Sequence, residues 1–318
     1  MRLTAACVTA SSWPAAAKLP RRADASNARS PLSDGSFRMA YECTPRFCWA
    51  RPREYRLRRG TLRHNLFRML SVPMLAVLAA GVVVTSFLSG IFGMAGGMIL
   101  MGLLLAIMPL PAAMVLHAVT QMTSNGWRAW LWRAHIEWPI FWRFAAGSLV
   151  AALAFALVAV IPGKGVALII LGLTPFLAMA LPERARLNVA KPVHAVTGGA
   201  ICMALQLLAG VSGPILDVFF VQSGLGRHGI VSTKAAVQTL GHALKLVYFG
   251  TALAIIGEGA LPPMIFVVAI VLAIVGTQSS RFVLDRLSDA QFKRWSRGII
   301  MALSVIYLGQ GAYWLMHG

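Results

Sequence analysis

Acidic residues are scarce in this chain: 10 Asp and Glu stand against 29 Lys and Arg in 318 residues, and charged residues of both signs make up only 12%. A soluble domain needs a far more charged surface, so a water-facing enzyme of ordinary composition is excluded. Cysteine is scarce as well. Cys7, Cys43 and Cys48 have no His or Cys neighbour at metal-ligand spacing, and Cys202 lies in an apolar run as a small packing residue, so neither a disulfide framework nor a zinc site is implied. A Walker loop, a His-Glu-x-x-His pair and a dinucleotide fingerprint in strand-to-helix context are all missing. Neither ATP-driven transport by this chain nor soluble-type catalysis is supported, and no cofactor is expected. What is abundant is apolar: 58% of residues are hydrophobic, the composition of a membrane protein.

The formal charge of +19 is unevenly spread, with 14 Lys and Arg against 4 Asp and Glu in residues 1–68 and 15 against 6 in the remainder. Residues 1–68 form a polar, basic tail without helical or strand period, expected to be disordered. A nucleic-acid patch, a transit peptide and a polybasic anchor on anionic lipid compete as readings of it. The simpler expectation is that synthesis begins near Met69, and no nucleic-acid partner is assigned.

Beyond Met69, apolar stretches follow one another near 72–92, 96–109, 111–131, 138–161, 164–181, 193–210, 214–223, 230–253, 262–283 and 294–316. About 20 helical residues cross a ~30 Å hydrocarbon layer. The segments 96–109 and 214–223 are too short for that, and each follows a glycine cluster, as a broken or re-entrant half-helix would. The expected fold is therefore all-α and polytopic, with about eight transmembrane helices in two repeated halves and two half-helices. The halves are expected at 69–182 and 193–318, joined by a loop at 183–192. Trp127, Trp130, Trp132, Trp138 and Trp142 suit a membrane-interface belt. The tail, the Arg128–Arg143 loop and the Glu183–Lys191 loop all favour the cytoplasm, and they agree if 72–131 and 138–181 each make two net crossings. The Arg281–Arg297 loop disagrees, so the side of the C-terminus stays open.

The repeat is visible in two places. Leu88-Ser89-Gly90-Ile91-Phe92-Gly93 aligns with Leu208-Ala209-Gly210-Val211-Ser212-Gly213 at an offset of 120, and Ala118-Val119-Thr120-Gln121 with Ala236-Val237-Gln238-Thr239 at 118. Matching interrupted segments in two halves point to a transporter's binding site. At Gly93, Gly96 and Gly97, and again at Ser212 and Gly213 before Pro214, a half-helix would aim free N–H groups and a positive dipole end at an anion. Close packing of small residues is the competing explanation.

Polar residues inside apolar helices form two stripes. Lys234, Gln238, His242 and Lys245 are spaced 4, 4 and 3, and His117, Gln121, Ser124 and Arg128 are spaced 4, 3 and 4, with Thr120 beside them. An unpaired lysine at bilayer depth costs ~3 kcal/mol or more, so Lys245 is expected to face a cavity or counter-ion. The offset of 118 sets Thr120 against Gln238 and Ser124 against His242, both stripes facing one central cavity. Asp217, in the second half-helix, is either the ion-pair partner of Lys245 or Lys234 or a proton carrier, and His242 is the alternative carrier. Gln206 reads as an interhelical hydrogen bond. Ser212, His242 and Asp217 could in principle form a hydrolase triad, although Gly-Val-Ser-Gly-Pro is a poor nucleophile elbow.

At these residues the sequence resembles the sulfite exporter TauE/SafE family of membrane transporters. The resemblance rests on Ser89-Gly90-Ile91-Phe92-Gly93-Met94-Ala95-Gly96-Gly97-Met98, on Gly210-Val211-Ser212-Gly213-Pro214-Ile215-Leu216-Asp217-Val218-Phe219-Phe220, on Ser232-Thr233-Lys234-Ala235-Ala236 and on Gly241-His242-Ala243-Leu244-Lys245. It covers about residues 70–316. It implies a multi-pass inner-membrane permease of two four-helix halves that moves small anions, often sulfur-containing ones such as sulfite or sulfonates. It also places Gly213, Asp217, Thr233, Lys234, His242 and Lys245 in the family's patterned region. The expected partners are a small anionic substrate and the lipid bilayer. A scaffold or sensor whose stripe only sets helix packing is the rival, with the membrane hydrolase behind it.

Overall fold

The structure is a computed structural model that describes residues 72–92, 94–182, 187–256, 261–284 and 289–317. The basic tail, the Met69 start and Gly93 lie outside the described residues. Every regular element among the described residues is helical. The first half holds α1 (Val72–Phe92), α2 (Met94–Ile107), α3 (Leu110–Leu131), α4 (Trp138–Val158) and α5 (Lys164–Ala180). The second holds α6 (Pro192–Ala209), α7 (Gly213–Val221), α8 (Arg227–Ile256), α9 (Pro263–Ser279), the single turn α10 (Arg281–Leu284) and α11 (Asp289–His317). A short 3-10 turn, Arg133–His135, joins α3 to α4.

Local sequence sets these boundaries. Proline stands in the first turn of α3, α4, α6, α7 and α9, where its missing N–H is one that a helix start leaves unpaired in any case. Helix α6 stops at Gly210, whose φ of 82° is left-handed and favours a residue without Cβ. Four helices are long and apolar enough to cross a membrane: α1, α4, α6 and the Arg297–His317 part of α11. Helices α2, α5 and α9 are apolar but shorter. Helices α3 and α8 are long, 22 and 30 residues, yet satisfy neither description, because they carry the polar stripes.

Helix pairing repeats between the halves. Helix α4 packs on α6 as α9 packs on α1; α2 folds onto α1 as α7 folds onto α6; α8 touches α4 as α3 touches α9. Helices α3 and α8 pack on each other, as do α5 and α11. The α3–α8 pair is antiparallel: Gly126 lies beside Thr239, Ala129 beside Ala235 and Ala236, and His117 against Lys245. Equivalent helices that run antiparallel are related by an axis in the membrane plane, so the halves are inverted repeats. Small residues make the tight crossings. A Cβ on Gly147 would strike the carbonyl of Val196, and one on Gly276 would strike that of Val83.

The inversion sorts the connections into two ends. At one end Trp127 donates to Gln278 Oε1 at 2.9 Å, Ser232 to the His135 carbonyl at 2.8 Å and Asn188 Nδ2 to the Gln222 carbonyl at 2.6 Å. The 132–137 connection, residues 187–191 and the end of α9 thus lie together. At the other end Lys164 stacks over Trp314, and Tyr248 donates to the Val160 carbonyl at 2.6 Å. The expected two net crossings over 72–131 are therefore corrected. Helix α2 runs back along α1, with Gly96 against Thr85 and Ser89 and Gly81 against Leu103, so α3 ends where α1 ends. The described start of the third basic connection, at the end of α9 and in α10, no longer disagrees with the other two, while α1 begins at the opposite end. Trp130, Trp138 and Trp142 are exposed at the basic end, as an interface belt requires.

Candidate functional site

Two antiparallel stripes and two helix breaks converge on one small cavity. Helix α3 contributes His117, Gln121, Asn125 and Arg128; α8 contributes Gln238 and His242. Ser89 and Gly97 belong to the first break, and Val211 and Ser212, with Gln206 just before them, to the second. The stripes now share one spacing. His117, Gln121, Asn125 and Arg128 are separated by 4, 4 and 3, as are Lys234, Gln238, His242 and Lys245, at a constant offset of 117. Asn125, rather than Ser124, is the counterpart of His242.

The cation that closes each stripe reaches the helix entering its own break. Arg128 Nη1 donates to the Ser89 carbonyl near the end of α1 at 3.2 Å, and Lys245 Nζ donates to the Gly210 carbonyl at the end of α6 at 3.0 Å. Carbonyls at a helix C-terminus lack intrahelical donors and carry the negative end of the dipole, so each contact is favourable on two counts. The rest of each environment differs. Arg128 Nη2 donates to Asn125 Oδ1 at 2.5 Å, whereas Lys245, fully buried, meets His117 Nδ1 at 2.8 Å. His117 Nε2 lies 2.9 Å from the Gly97 carbonyl, which only accepts, so Nε2 carries the proton and Nδ1 accepts from Lys245. A chain of three side-chain contacts thereby joins Gly210 in one break to Gly97 in the other. The two imidazoles, His117 and His242, stand 5.4 Å apart across it.

Five buried side-chain nitrogen or oxygen atoms among the described residues have no hydrogen-bond partner, and four belong to this cavity wall: Gln121 Nε2, Arg128 Nε, Gln206 Nε2 and His242 Nδ1. Gln206 Oε1 already accepts from Ser212 at 2.9 Å, which leaves its amide nitrogen over. Because Ser212 bonds to Gln206, it does not cap α7, and no side chain caps that helix start. Among the described residues no carboxylate lines the cavity. Unmet buried donors are costly at about 1–3 kcal/mol each, so a wall with several of them fits a ligand that only accepts.

Of the residues expected to bind, Gly97, Gln121, Ser212, Gln238 and His242 line the cavity, and Lys245 stands behind its wall. The others are placed elsewhere. Thr120 donates to the Leu116 carbonyl at 2.9 Å, and Ser124 pairs with Thr277 at 2.7 Å. Thr233 accepts the Glu137 N–H at 2.9 Å, and Lys234 is ion-paired with Asp217. Gly96 and Gly213 shape the breaks without lining the cavity, and Gly93 lies outside the described residues. Ser212, His242 and Asp217 make no triad, since the serine is engaged by Gln206 and the aspartate by Lys234.

A family model described as sulfite exporter TauE/SafE matches residues 77–308, which take in every helix that builds the cavity. The chain belongs to the TauE/SafE family. It is accordingly a multi-pass membrane transporter. Searches of curated proteins and of solved structures find no significant match. The TauE/SafE match does not depend on residues 1–76, so the basic tail lies beyond it.

Proposed function

We propose that this TauE/SafE protein is a secondary permease of the cell (inner) membrane for small sulfur oxyanions such as sulfite or sulfonates. The observation that carries the reading is the wall of unmet donors. Arg128 Nε, Gln121 Nε2 and Gln206 Nε2 can only donate, they converge with two helix breaks, and among the described residues no carboxylate opposes them. A deprotonated oxyanion offers acceptors alone and supplies the charge that Arg128 and Lys245 lack. Proton coupling falls to His242, whose free Nδ1 faces the cavity, rather than to Asp217, which Lys234 already occupies.

The basic connections at one end are assigned to the cytoplasm by the excess of Lys and Arg there, so Lys164 and the end of α11 face outward. Arg133→Cys and Gly163→Cys, each in a background with Cys7, Cys43, Cys48 and Cys202 all replaced by Ser, would test this in intact cells. A membrane-impermeant maleimide should label only the cysteine at 163; labelling of only the one at 133 reverses the orientation. Function is tested in proteoliposomes. Saturable sulfite flux that depends on pH, with the pH dependence lost in His242→Gln, is the expected result. Saturable binding without flux would make the protein a sensor, and neither binding nor flux with any sulfur oxyanion would end the permease reading.

A further inference from the structure

The described part of the connection between the halves, residues 187–191, turns on Asn188, and each of the four polar atoms of Asn188 is hydrogen-bonded. Its carbonyl accepts from the Lys191 N–H at 3.0 Å and its Oδ1 from the Ala190 N–H at 2.8 Å, which closes the turn. Its Nδ2 donates to the Gln222 carbonyl just past α7, and its own N–H donates to His194 Nδ1, in the first turn of α6, at 3.0 Å. Val189 adds a third attachment. Its N–H donates to the Phe219 carbonyl at 3.0 Å, and its fully buried side chain packs with Cys202, Leu216, Phe219 and Phe220.

Half-helix α7 depends on these attachments. Its nine residues are too few to hold a helix unaided, and no side chain caps its start, because Ser212 bonds to Gln206. The Phe219 carbonyl lies in its last turn, where no intrahelical donor reaches, and Val189 supplies one. At 1.5 Å per residue α7 is roughly 13 Å long. Fixing one end therefore positions Val211 and Ser212 of the second break at the other.

His194 is the titratable member of the arrangement. Its Nδ1 accepts only while it carries no proton; a protonated imidazole has an N–H on both nitrogens and sets a donor against the Asn188 N–H. The charged groups near this end of the packed segments are Lys191 before α6, Arg143 of α4, Asp217 of α7 and Lys234 of α8. None pairs with His194, and Asp217 is taken by Lys234, so no carboxylate among the described residues offsets the lost bond. We propose that Asn188 and Val189 form a strap that seats half-helix α7, and that His194 makes the strap pH-sensitive, fastened by the neutral imidazole and released by the protonated one. Asn188 is then a positioning residue for the second break. This rests on the permease reading, of which it is a regulation, but its first test needs no substrate.

Cys202, buried against Val189, is a built-in reporter. In the full-length, detergent-purified protein with Cys7, Cys43 and Cys48 replaced by Ser, its labelling by methyl methanethiosulfonate is timed at about pH 7.5 and about pH 5.5, on either side of an imidazole's usual titration. Rates of two proteins at one pH are divided, which removes the thiolate's own pH dependence. The partner is His194→Asn, whose Oδ1 keeps an acceptor near the place of Nδ1 and does not titrate. The two should label alike at the higher pH, and His194 should label about tenfold faster than His194→Asn at the lower, the effect of one lost hydrogen bond on the open population. Asn188→Ala should label about tenfold faster than the parent already at the higher pH. If Asn188→Ala does not fold, His194→Ala, which removes the acceptor, replaces it; if Cys202 resists labelling throughout, hydrogen exchange of the 213–223 amides carries the same comparisons. A parent to His194→Asn ratio equal at both pH values, or no gain on removing Asn188 or its acceptor, overturns the strap and leaves the permease reading standing. In proteoliposomes the sulfite flux of the parent relative to His194→Asn should fall about twofold at the lower pH. A constant flux ratio overturns the regulation, whereas no flux from either protein beside the expected labelling overturns the permease reading alone.

Discussion

Arg128 and Lys245 occupy equivalent places in the two halves, each ending a stripe spaced 4, 4 and 3, and each donating to a carbonyl of the helix that enters its own break. They differ in what else they do. Lys245 has turned inward, away from the cavity, and its remaining contact is to His117, through which it holds the other half's break in register. Arg128 keeps one N–H over, on the cavity side. The planar guanidinium allows this, because it can satisfy a carbonyl and an amide with two nitrogens and still present the third. A repeated scaffold has thus divided one inherited position into a brace and a ligand-facing cation.

That division makes separate predictions for the two residues. Lys245→Met leaves the Gly210 carbonyl and His117 Nδ1 unmet in a fully buried place, so it should destabilise the protein by about 3 kcal/mol and abolish flux. Thermal melting in detergent alongside proteoliposome flux measures both. If melting is unchanged and only substrate affinity falls, Lys245 is a ligand residue and the contrast with Arg128 disappears. Arg128→Gln removes a charge-assisted donor worth about 1.5–3 kcal/mol, so the dissociation constant for the anion should rise by roughly ten- to a hundredfold. Its melting temperature should fall less than that of Lys245→Met. The smallest effect belongs to the pair outside the cavity. Asp217→Asn leaves Lys234 without its counter-ion, but the two side chains are 35% and 25% exposed, so about 1 kcal/mol of stability is expected to go. Adding Lys234→Met should restore it, with flux retained; loss of flux in the double variant would return Asp217 to the transport mechanism.

The helices and their interruptions could be read from the sequence because each is a local signal. Apolar runs begin at the first-turn prolines, and one ends at Gly210, within a residue or two of the observed boundaries, whereas the runs expected at 230–253, 262–283 and 294–316 miss an end by three to five residues. The side-chain site was legible only in part. Lys234 and Lys245 share a helix face, but 11 residues at 1.5 Å each separate them by about 16 Å, too far for one small cavity to hold both. Periodicity gives the face and not the depth. Arg128 reads both as the last residue of a stripe and as a loop charge until the Ser89 carbonyl, 39 residues earlier, is seen to draw it inward. Gln206 does make an interhelical contact, to Ser212, yet the free amide nitrogen that matters is visible only once its other partners have been counted. Asn125 was recoverable: choosing it over Ser124 gives both stripes identical spacing.

The polarity of α3 and α8 also bears on how the protein is made. A helix carrying His117, Gln121, Asn125 and Arg128 partitions poorly into lipid alone, and α8 with two lysines and two histidines is no better. Each is sheltered by the other, yet α3 is complete nearly a hundred residues before α8 even begins. The nascent first half must therefore wait, held at the insertion machinery or shielded by α1 and α2, until its antiparallel counterpart arrives. Biogenesis of the second half is a condition for the first to rest in the bilayer at all.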